Sequence, residues 1–181
     1  MRHACSWIVL SVLFLQTCHG TSIVWVVSKT GEYVVLATDS RDFDPITGKS
    51  DDTVCKVIAL DDTLFFNSGD VRLRTRLGEP WESLQTAREI YKGTKDHDAQ
   101  SLSITWGQRA KTWFDRQIPP VNQSVVGPDG GLVTGGFINF DQHRNPAVFV
   151  EELFFNPATQ QPFLTPTSPI QIGMASIQPP G

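Results

Sequence analysis

The residues whose types and spacing suit chemistry lie between Cys18 and Gly69. The stretch opens with Cys-His-Gly-Thr-Ser, so a cut after Gly20 makes Thr21 the first residue of the mature chain. A threonine in that position carries a hydroxyl and a free α-amine, the pair that an N-terminal nucleophile needs. An α-amine titrates at about pH 7.7 to 8.0, where a general base is useful. Processing after Gly20 therefore predicts nucleophilic chemistry at Thr21.

Residues 1–20 have the pattern of an export signal. Arg2 and His3 form a positive start, and an apolar run from Trp7 to Leu15 leads to the small residues before the cut. The run is shorter than the about 20 apolar residues of a membrane helix, and no later stretch qualifies. We expect a secreted or periplasmic protein that does not stay in a membrane after the signal is removed.

Two other processing sites compete with Gly20. A cut after Ser22 also follows a small-residue pattern, and it would delete the threonine. Leu15-Gln-Thr-Cys18 is a poor version of a lipoprotein box, and lipidation of Cys18 would leave the threonine inside a tethered tail. The first residue of the mature protein distinguishes these alternatives.

Composition limits the class of protein. The 181 residues suit one domain, predicted over 21–160, followed by an irregular Pro-rich tail over 161–181. A net charge of −4 argues against a nucleic-acid partner, which would call for a basic excess. His97 and His143 lie in unrelated polar loops, so we predict no metal site, and no cofactor fingerprint is present. Cys55 is the one cysteine left after signal removal, which excludes an intrachain disulfide.

Apolar patterning predicts the elements that position these residues. Two strands in each of three hairpins are expected, at Ser22–Ser28 with Tyr33–Thr38, Thr53–Leu60 with Thr63–Ser68, and Leu132–Phe140 with Ala147–Phe155. Two helices are expected between the second and third hairpins, from about Pro80 to Lys92 and from Ala99 to Gln117. Past Asn156 the only segment with a weak strand pattern is Ile170–Met174.

Lys56 is the informative residue of the second hairpin. Alternation places it on one face with Val54, Ile58 and Leu60, so its ammonium is aimed at apolar neighbours. A buried lysine costs free energy unless it is paired. The alternative is a lysine at a strand end whose ammonium reaches water.

Several of these segments resemble the start of proteasome β-type subunits, members of the N-terminal nucleophile hydrolases. The similar segments are Gly20-Thr-Ser-Ile-Val, Val-Leu-Ala-Thr-Asp39-Ser-Arg, Lys56-Val-Ile and Asn-Ser-Gly69. The resemblance implies an α+β fold of four layers, the αββα sandwich, shortened here at its C-terminal end. It also implies assembly into rings of like subunits, that is, a homo-oligomer.

The resemblance also implies roles for individual residues. Thr21 would be the nucleophile, its own amine the general base, and Asp39 and Lys56 the charged pair beside it. Gly69 would present a backbone N–H to the oxyanion, and Asn67 would lie at the pocket for a substrate side chain. The implied function is threonine-type hydrolysis of peptide or other amide bonds.

The chain also departs from the family pattern. A Gly-Ser-Gly that follows the third hairpin in the family is matched here only by Gly173-Met-Ala-Ser176. Later family residues that support the nucleophile have no counterpart before Gly181. The second hypothesis is therefore a non-catalytic sandwich that serves as an exported binding or structural module.

Overall fold

A computed structural model describes residues 23–27, 34–38, 42–44, 49–51, 54–69, 72–73, 80–117, 126, 130–140, 145–165 and 168–169. The helices in these ranges are α1 (Ser83–Gly93) and α2 (Ala99–Gln117). The strands are β1 (Ile23–Val27), β2 (Val34–Thr38), β3 (Asp42–Asp44), β4 (Lys49–Asp51), β5 (Val57–Leu60), β6 (Thr63–Gly69), β7 (Arg72–Leu73), β8 (Trp81–Glu82), β9 (Gly131–Phe140), β10 (Pro146–Asn156), β11 (Gln161–Leu164) and β12 (Ser168–Pro169).

The centre of the fold is an antiparallel sheet with strand order β11-β10-β9-β6-β5, and β12 also pairs with β10. The three predicted hairpins are confirmed as β1–β2, β5–β6 and β9–β10. The second and third hairpins join into one sheet because β6 pairs with β9, with Phe65 opposite Phe137. The predicted mixed α+β class is therefore confirmed.

Both helices pack on one face of this sheet. In α2, buried residues recur at every third or fourth position, which gives a continuous apolar stripe. The stripe consists of Ala99, Leu102, Trp106, Ala110 and Phe114. It joins Phe65 and Phe137 of the sheet in one hydrophobic core. The predicted bounds of α2, Ala99 to Gln117, are confirmed because this spacing is explicit in the sequence.

The first helix begins later than predicted. The sequence analysis placed its first turn at Pro80, whereas α1 starts at Ser83 and Trp81–Glu82 form the short strand β8. β8 pairs with β7, and the opposed residues Trp81 and Leu73 are both buried in the helix-side core. A helix from Pro80 would remove Trp81 from this pairing. Burial of large apolar side chains therefore sets the start of α1.

Two further segments differ from the prediction. The segment between the first two hairpins, where apolar patterning predicts no strand, contains the short antiparallel pair β3–β4. Beyond Asn156, where the pattern predicted an irregular tail, β11 returns along β10 with Phe163 opposite Phe154. The turn between them is closed by Asn156 Oδ1, which accepts hydrogen bonds from the N–H groups of Ala158 at 2.9 Å and Thr159 at 3.3 Å. The dipeptide Asn156-Pro157 was the available turn signal.

Two adjacent glycines in β9 allow aromatic rings to lie directly on the sheet. A Cβ on Gly135 would stand 2.6 Å from the Trp106 ring, and a Cβ on Gly136 would stand 2.5 Å from the Phe66 ring. Neighbouring strand residues point to opposite faces, so the two rings cover the two sides of β9. Both rings are almost fully buried, at 0% exposed for Trp106 and 1% for Phe66.

Strand β2 of the first hairpin packs on the opposite face of the sheet. Phe66, Ile138 and Val148 form a second buried cluster there, and Val34 and Leu36 of β2 pack against it. These two residues of β2 therefore lie on the side of the sheet opposite the helices.

Asp98 caps the N-terminus of α2. Its Oδ1 accepts from Gln100 N–H at 3.1 Å, and its Oδ2 accepts from Ser101 N–H at 2.8 Å. Partial burial by itself raises the pKa of Asp98, but hydrogen bonds from the Ser101 side chain and from both N–H groups outweigh it and lower this pKa below its ordinary value. The carboxylate thus satisfies two N–H groups that the first helical turn leaves without partners.

Gly135→Ala should lower the free energy of unfolding by about 1 to 3 kcal/mol, because the added methyl overpacks a filled core. Trp106 has little room to move, since Phe65 and Trp81 pack against it with ring centroids at 5.6 and 5.8 Å. Urea unfolding measures the change. The control is Gly93→Ala, whose Cβ would meet no atom within 4 Å and should leave stability unchanged or raise it by up to about 1 kcal/mol. Equal effects at both glycines would contradict the packing described for β9.

Asp98→Ala should cost about 1 kcal/mol of stability at pH 7, the usual loss for a removed helix cap. The folded pKa lies below the unfolded one, so the stabilisation is complete above the ordinary value of 3.8 and disappears as the pH falls through the folded pKa. Wild type and variant should therefore converge in urea unfolding at low pH. Asp96→Ala, at an exposed aspartate two residues earlier, is the control. A difference for Asp98→Ala that stays constant down to about pH 2 would disprove the capping role.

Candidate functional site

Three of the five predicted site residues lie in the described part of the chain. Lys56, Asn67 and Gly69 come together where β5 begins and β6 ends. Thr21 and Asp39 lie outside the described residues. The nearest described residues, Ile23 and Thr38, pair directly across the β1–β2 hairpin.

Lys56 is buried, with 3% of its surface exposed. The residues on its predicted face, Val54, Ile58 and Leu60, are also buried, whereas Cys55 and Ala59 are exposed. The alternation predicted from the sequence is therefore present. The alternative interpretation, a lysine whose ammonium reaches water from a strand end, is wrong. Burial of an ammonium group costs free energy unless the group is paired and hydrogen-bonded.

Asn67 connects the other two residues. Its backbone N–H donates to the carbonyl of Lys56 at 2.9 Å, as in a continuation of the β5–β6 ladder. Its side-chain Oδ1 accepts from Ser83 Oγ at 2.5 Å, and its Nδ2 lies 3.5 Å from the carbonyl oxygen of Gly69. Asn67 is 0% exposed and faces α1. Its role at a substrate pocket stays a prediction, and its contacts with Lys56 and Ser83 hold strand and helix together.

Gly69 ends β6 in a backbone conformation that suits glycine. Its φ is +84°, in the left-handed region, and it pairs with Val133 of β9. A Cβ at this position would stand 3.2 Å from the carbonyl oxygen of Leu132. Only glycine adopts this conformation without steric cost, so the end of β6 requires a glycine.

Ser83 was not singled out in the sequence. It is the first residue of α1 and is fully buried, with its hydroxyl directed to Asn67 and not to the helix backbone. Its carbonyl oxygen also accepts a long hydrogen bond from Trp106 Nε1 at 3.4 Å. A serine at a helix start normally indicates a cap, so the pattern gave no sign of this contact.

Two more buried polar residues lie on the helix side of the sheet. The hydroxyl of Ser103 accepts from Phe137 N–H at 3.2 Å and donates to the Phe149 carbonyl at 2.9 Å, so it inserts between β9 and β10. Glu151 of β10 is 2% exposed, and a Cβ on Gly107 of α2 would stand 3.1 Å from its Oε2. Alternation with Phe149 and Leu153 was the signal that would have placed Glu151 inside.

His97 belongs to a packing contact beside the helix junction. Its ring stacks on Tyr91 with centroids 3.8 Å apart, and its Nε2 donates to the Tyr91 carbonyl at 3.0 Å. The Tyr91 hydroxyl donates to Asp62 at 3.1 Å, and burial, followed by the hydrogen bond and charge of Asp62, raises the pKa of Tyr91. The described residues contain no group of three His, Cys, Asp or Glu side chains that could hold a metal ion.

No protein-family model, curated protein or solved structure matches this chain. Among the residues that the structure describes, neither helix is both long and apolar enough to span a membrane.

Gly69→Ala should lower the free energy of unfolding by about 1 to 2 kcal/mol for the left-handed backbone alone, with a further loss from the contact to Leu132. Gly130→Ala is the matched control, because Gly130 has a φ of +86° but its Cβ would make only ordinary contact, 3.5 Å from the Phe155 carbonyl. Urea unfolding should show the larger loss at Gly69. A smaller loss there than at Gly130 would mean that the end of β6 relaxes easily.

Proposed function

We propose that this chain is an exported threonine-type N-terminal nucleophile hydrolase that cleaves peptide or other amide bonds. The observation that carries the proposal is the buried lysine at position 56, joined through Asn67 to the left-handed Gly69. Buried ionisable groups are often found at functional sites, and the left-handed glycine lies at the end of the strand beside this lysine. The four-layer αββα arrangement belongs to the same proposal, supported by helices on one face of the sheet and β2 on the other.

Chain connectivity supports a role for Thr21 and Asp39 together. Thr21 precedes Ile23 by two residues, and Asp39 follows Thr38 directly. Ile23 and Thr38 are opposed residues of the β1–β2 ladder. Under the proposal, Thr21 and Asp39 would act together at the end of the hairpin where Ile23 and Thr38 pair.

The reaction follows from the groups on the first residue. The Thr21 hydroxyl attacks the carbonyl carbon of the amide while the α-amine takes the hydroxyl proton. The tetrahedral intermediate then loses the amine leaving group, which takes the proton from the α-ammonium, and the acyl group remains as an ester on Thr21. Water, deprotonated by the same amine, cleaves the ester and restores the hydroxyl.

Lys56 and Gly69 would lower the barrier of these steps. A fixed ammonium near Thr21 favours the neutral amine and stabilises the developing alkoxide, with Asp39 compensating the buried charge. The Gly69 N–H would donate to the oxyanion of the tetrahedral intermediate. A single donor of this kind contributes a factor of about 10² to 10³ in rate in other acyl-transfer enzymes.

Thr21→Ala should abolish acylation of the processed protein by a peptide β-lactone, whereas Thr21→Ser, which keeps hydroxyl and amine, should retain it. Intact-mass and peptide-level mass spectrometry locate the adduct. All variants carry Cys55→Ser, because the exposed thiol of Cys55 is a second acceptor for acyl groups. Lys56→Ala should slow labelling by about 100-fold or more, while Lys92→Ala, at an exposed lysine on α1, should not.

The same spectra test the processing site. Labelling that persists in Thr21→Ala would disprove the proposed nucleophile. A mature chain that begins at Ile23, or one lipidated at Cys18, would also contradict the proposal. Either result would favour the non-catalytic binding or structural module.

A further inference from the structure

We infer that Ser83 is a positioning residue, which acts through Asn67 to hold the Gly69 peptide in the geometry needed for an oxyanion donor. The inference rests on the proposed function, since it concerns the same site. In this inference Asn67 is a buried residue that holds Gly69 in place, and it does not contact substrate directly.

The contacts form a short chain from helix to site. Ser83 Oγ donates to Asn67 Oδ1 at 2.5 Å, which fixes the rotation of the Asn67 amide. With Oδ1 held by α1, Nδ2 is directed to the carbonyl oxygen of Gly69, 3.5 Å away. The Asn67 N–H is held in turn by the Lys56 carbonyl. Asn67 is therefore restrained on its backbone and its side chain, two residues before Gly69.

The contact from Asn67 matters because Gly69 has no side chain that would limit the rotation of its own backbone. Glycine rotates about φ more freely than other residues, so a conformation at +84° is not fixed by local sterics. A donor contributes most to catalysis when it is oriented before charge develops. Two contacts limit the rotation of the Gly69 backbone: the side-chain amide of Asn67 contacts its carbonyl oxygen, and Val133 of β9 pairs with it.

The surroundings of Ser83 suit a rigid anchor. Ser83 and Asn67 are both 0% exposed, so water does not compete for their hydrogen bond. Ser83 also touches α2, through its carbonyl oxygen and Trp106 Nε1. An apolar pair of similar shape would serve stability about as well as a buried hydrogen bond, so stability alone does not explain these polar groups.

Ser103 provides a matched control for a test. It is also a helical serine, 0% exposed, whose hydroxyl bonds to the same sheet. Its partners, Phe137 and Phe149, belong to the other hairpin. Ser83→Ala and Ser103→Ala should therefore both lower the melting temperature, but only Ser83→Ala should disturb Gly69.

The experiment measures the rate of Thr21 acylation by a peptide β-lactone in the Cys55→Ser protein, well below the melting temperature of every variant. Ser83→Ala should slow acylation by about 10-fold or more, with an unchanged pH profile, because a backbone N–H does not titrate in this range. Ser103→Ala should stay within about 2-fold of wild type. Ser83→Cys, which is slightly larger and keeps a weak donor, should fall between wild type and Ser83→Ala.

A second readout does not depend on catalysis. In ¹⁵N-labelled protein, Ser83→Ala should shift or broaden the Gly69 amide resonance, and Ser103→Ala should leave it in place. Equal acylation rates for the two alanine variants, together with an unmoved Gly69 resonance, would overturn the inference. If wild type is not acylated at Thr21 at all, the proposed function fails, while the resonance still decides whether Ser83 holds Gly69. Should Ser83→Ala not fold, Ser83→Cys decides both readouts.

Discussion

The rest of the structure depends on the close contact between two aromatic rings and two glycines of β9. Trp106 lies on Gly135 from the helix side, and Phe66 lies on Gly136 from the other side. Each ring fills the space that a side chain at the glycine would occupy. The approach of α2 to the sheet is therefore set to within a methyl group, while Phe66 of the neighbouring strand β6 covers the other face of β9. Through Trp106 the same contact fixes α2, and α2 in turn covers Phe65 and Phe137. The register of β9 with β6, the distance between α2 and the sheet, and the position of α2 therefore all depend on these two contacts.

Polar groups buried on the helix side add directional restraints to this packing. Asn67 joins β6 to Ser83 of α1, and Ser103 of α2 joins the facing strands β9 and β10. An apolar contact tolerates sliding, whereas a hydrogen bond between buried groups is lost when either partner shifts. The two serines thus hold two helices in register with separate hairpins. Lys56 and Gly69 lie next to the first of these restraints, which makes the site a rigid part of the scaffold.

The sequence was most informative where periodicity was long. The apolar stripe of the 19-residue helix α2 and the alternation around Lys56 were both predictable, because each repeats a side-chain direction several times. Short elements were not predictable: β8 depends on the burial of Trp81, and β11 depends on pairing with β10. The candidate site likewise contains one feature that the sequence predicted and one that it did not. The burial of Lys56 followed from pattern, but the inward direction of Asn67 required a partner, Ser83, that lies 16 residues away.

The path of the chain beside β10 has a consequence for association between molecules. Within the described residues, β11 and β12 pair with the same side of β10, and no further strand pairs with them. Each of these short strands contains a proline, Pro162 and Pro169. Proline has no N–H to offer a further strand, and short edge strands give little length for pairing. Sheet extension by a second molecule is therefore disfavoured at this edge, a protection against aggregation for a protein that carries so long a central hairpin.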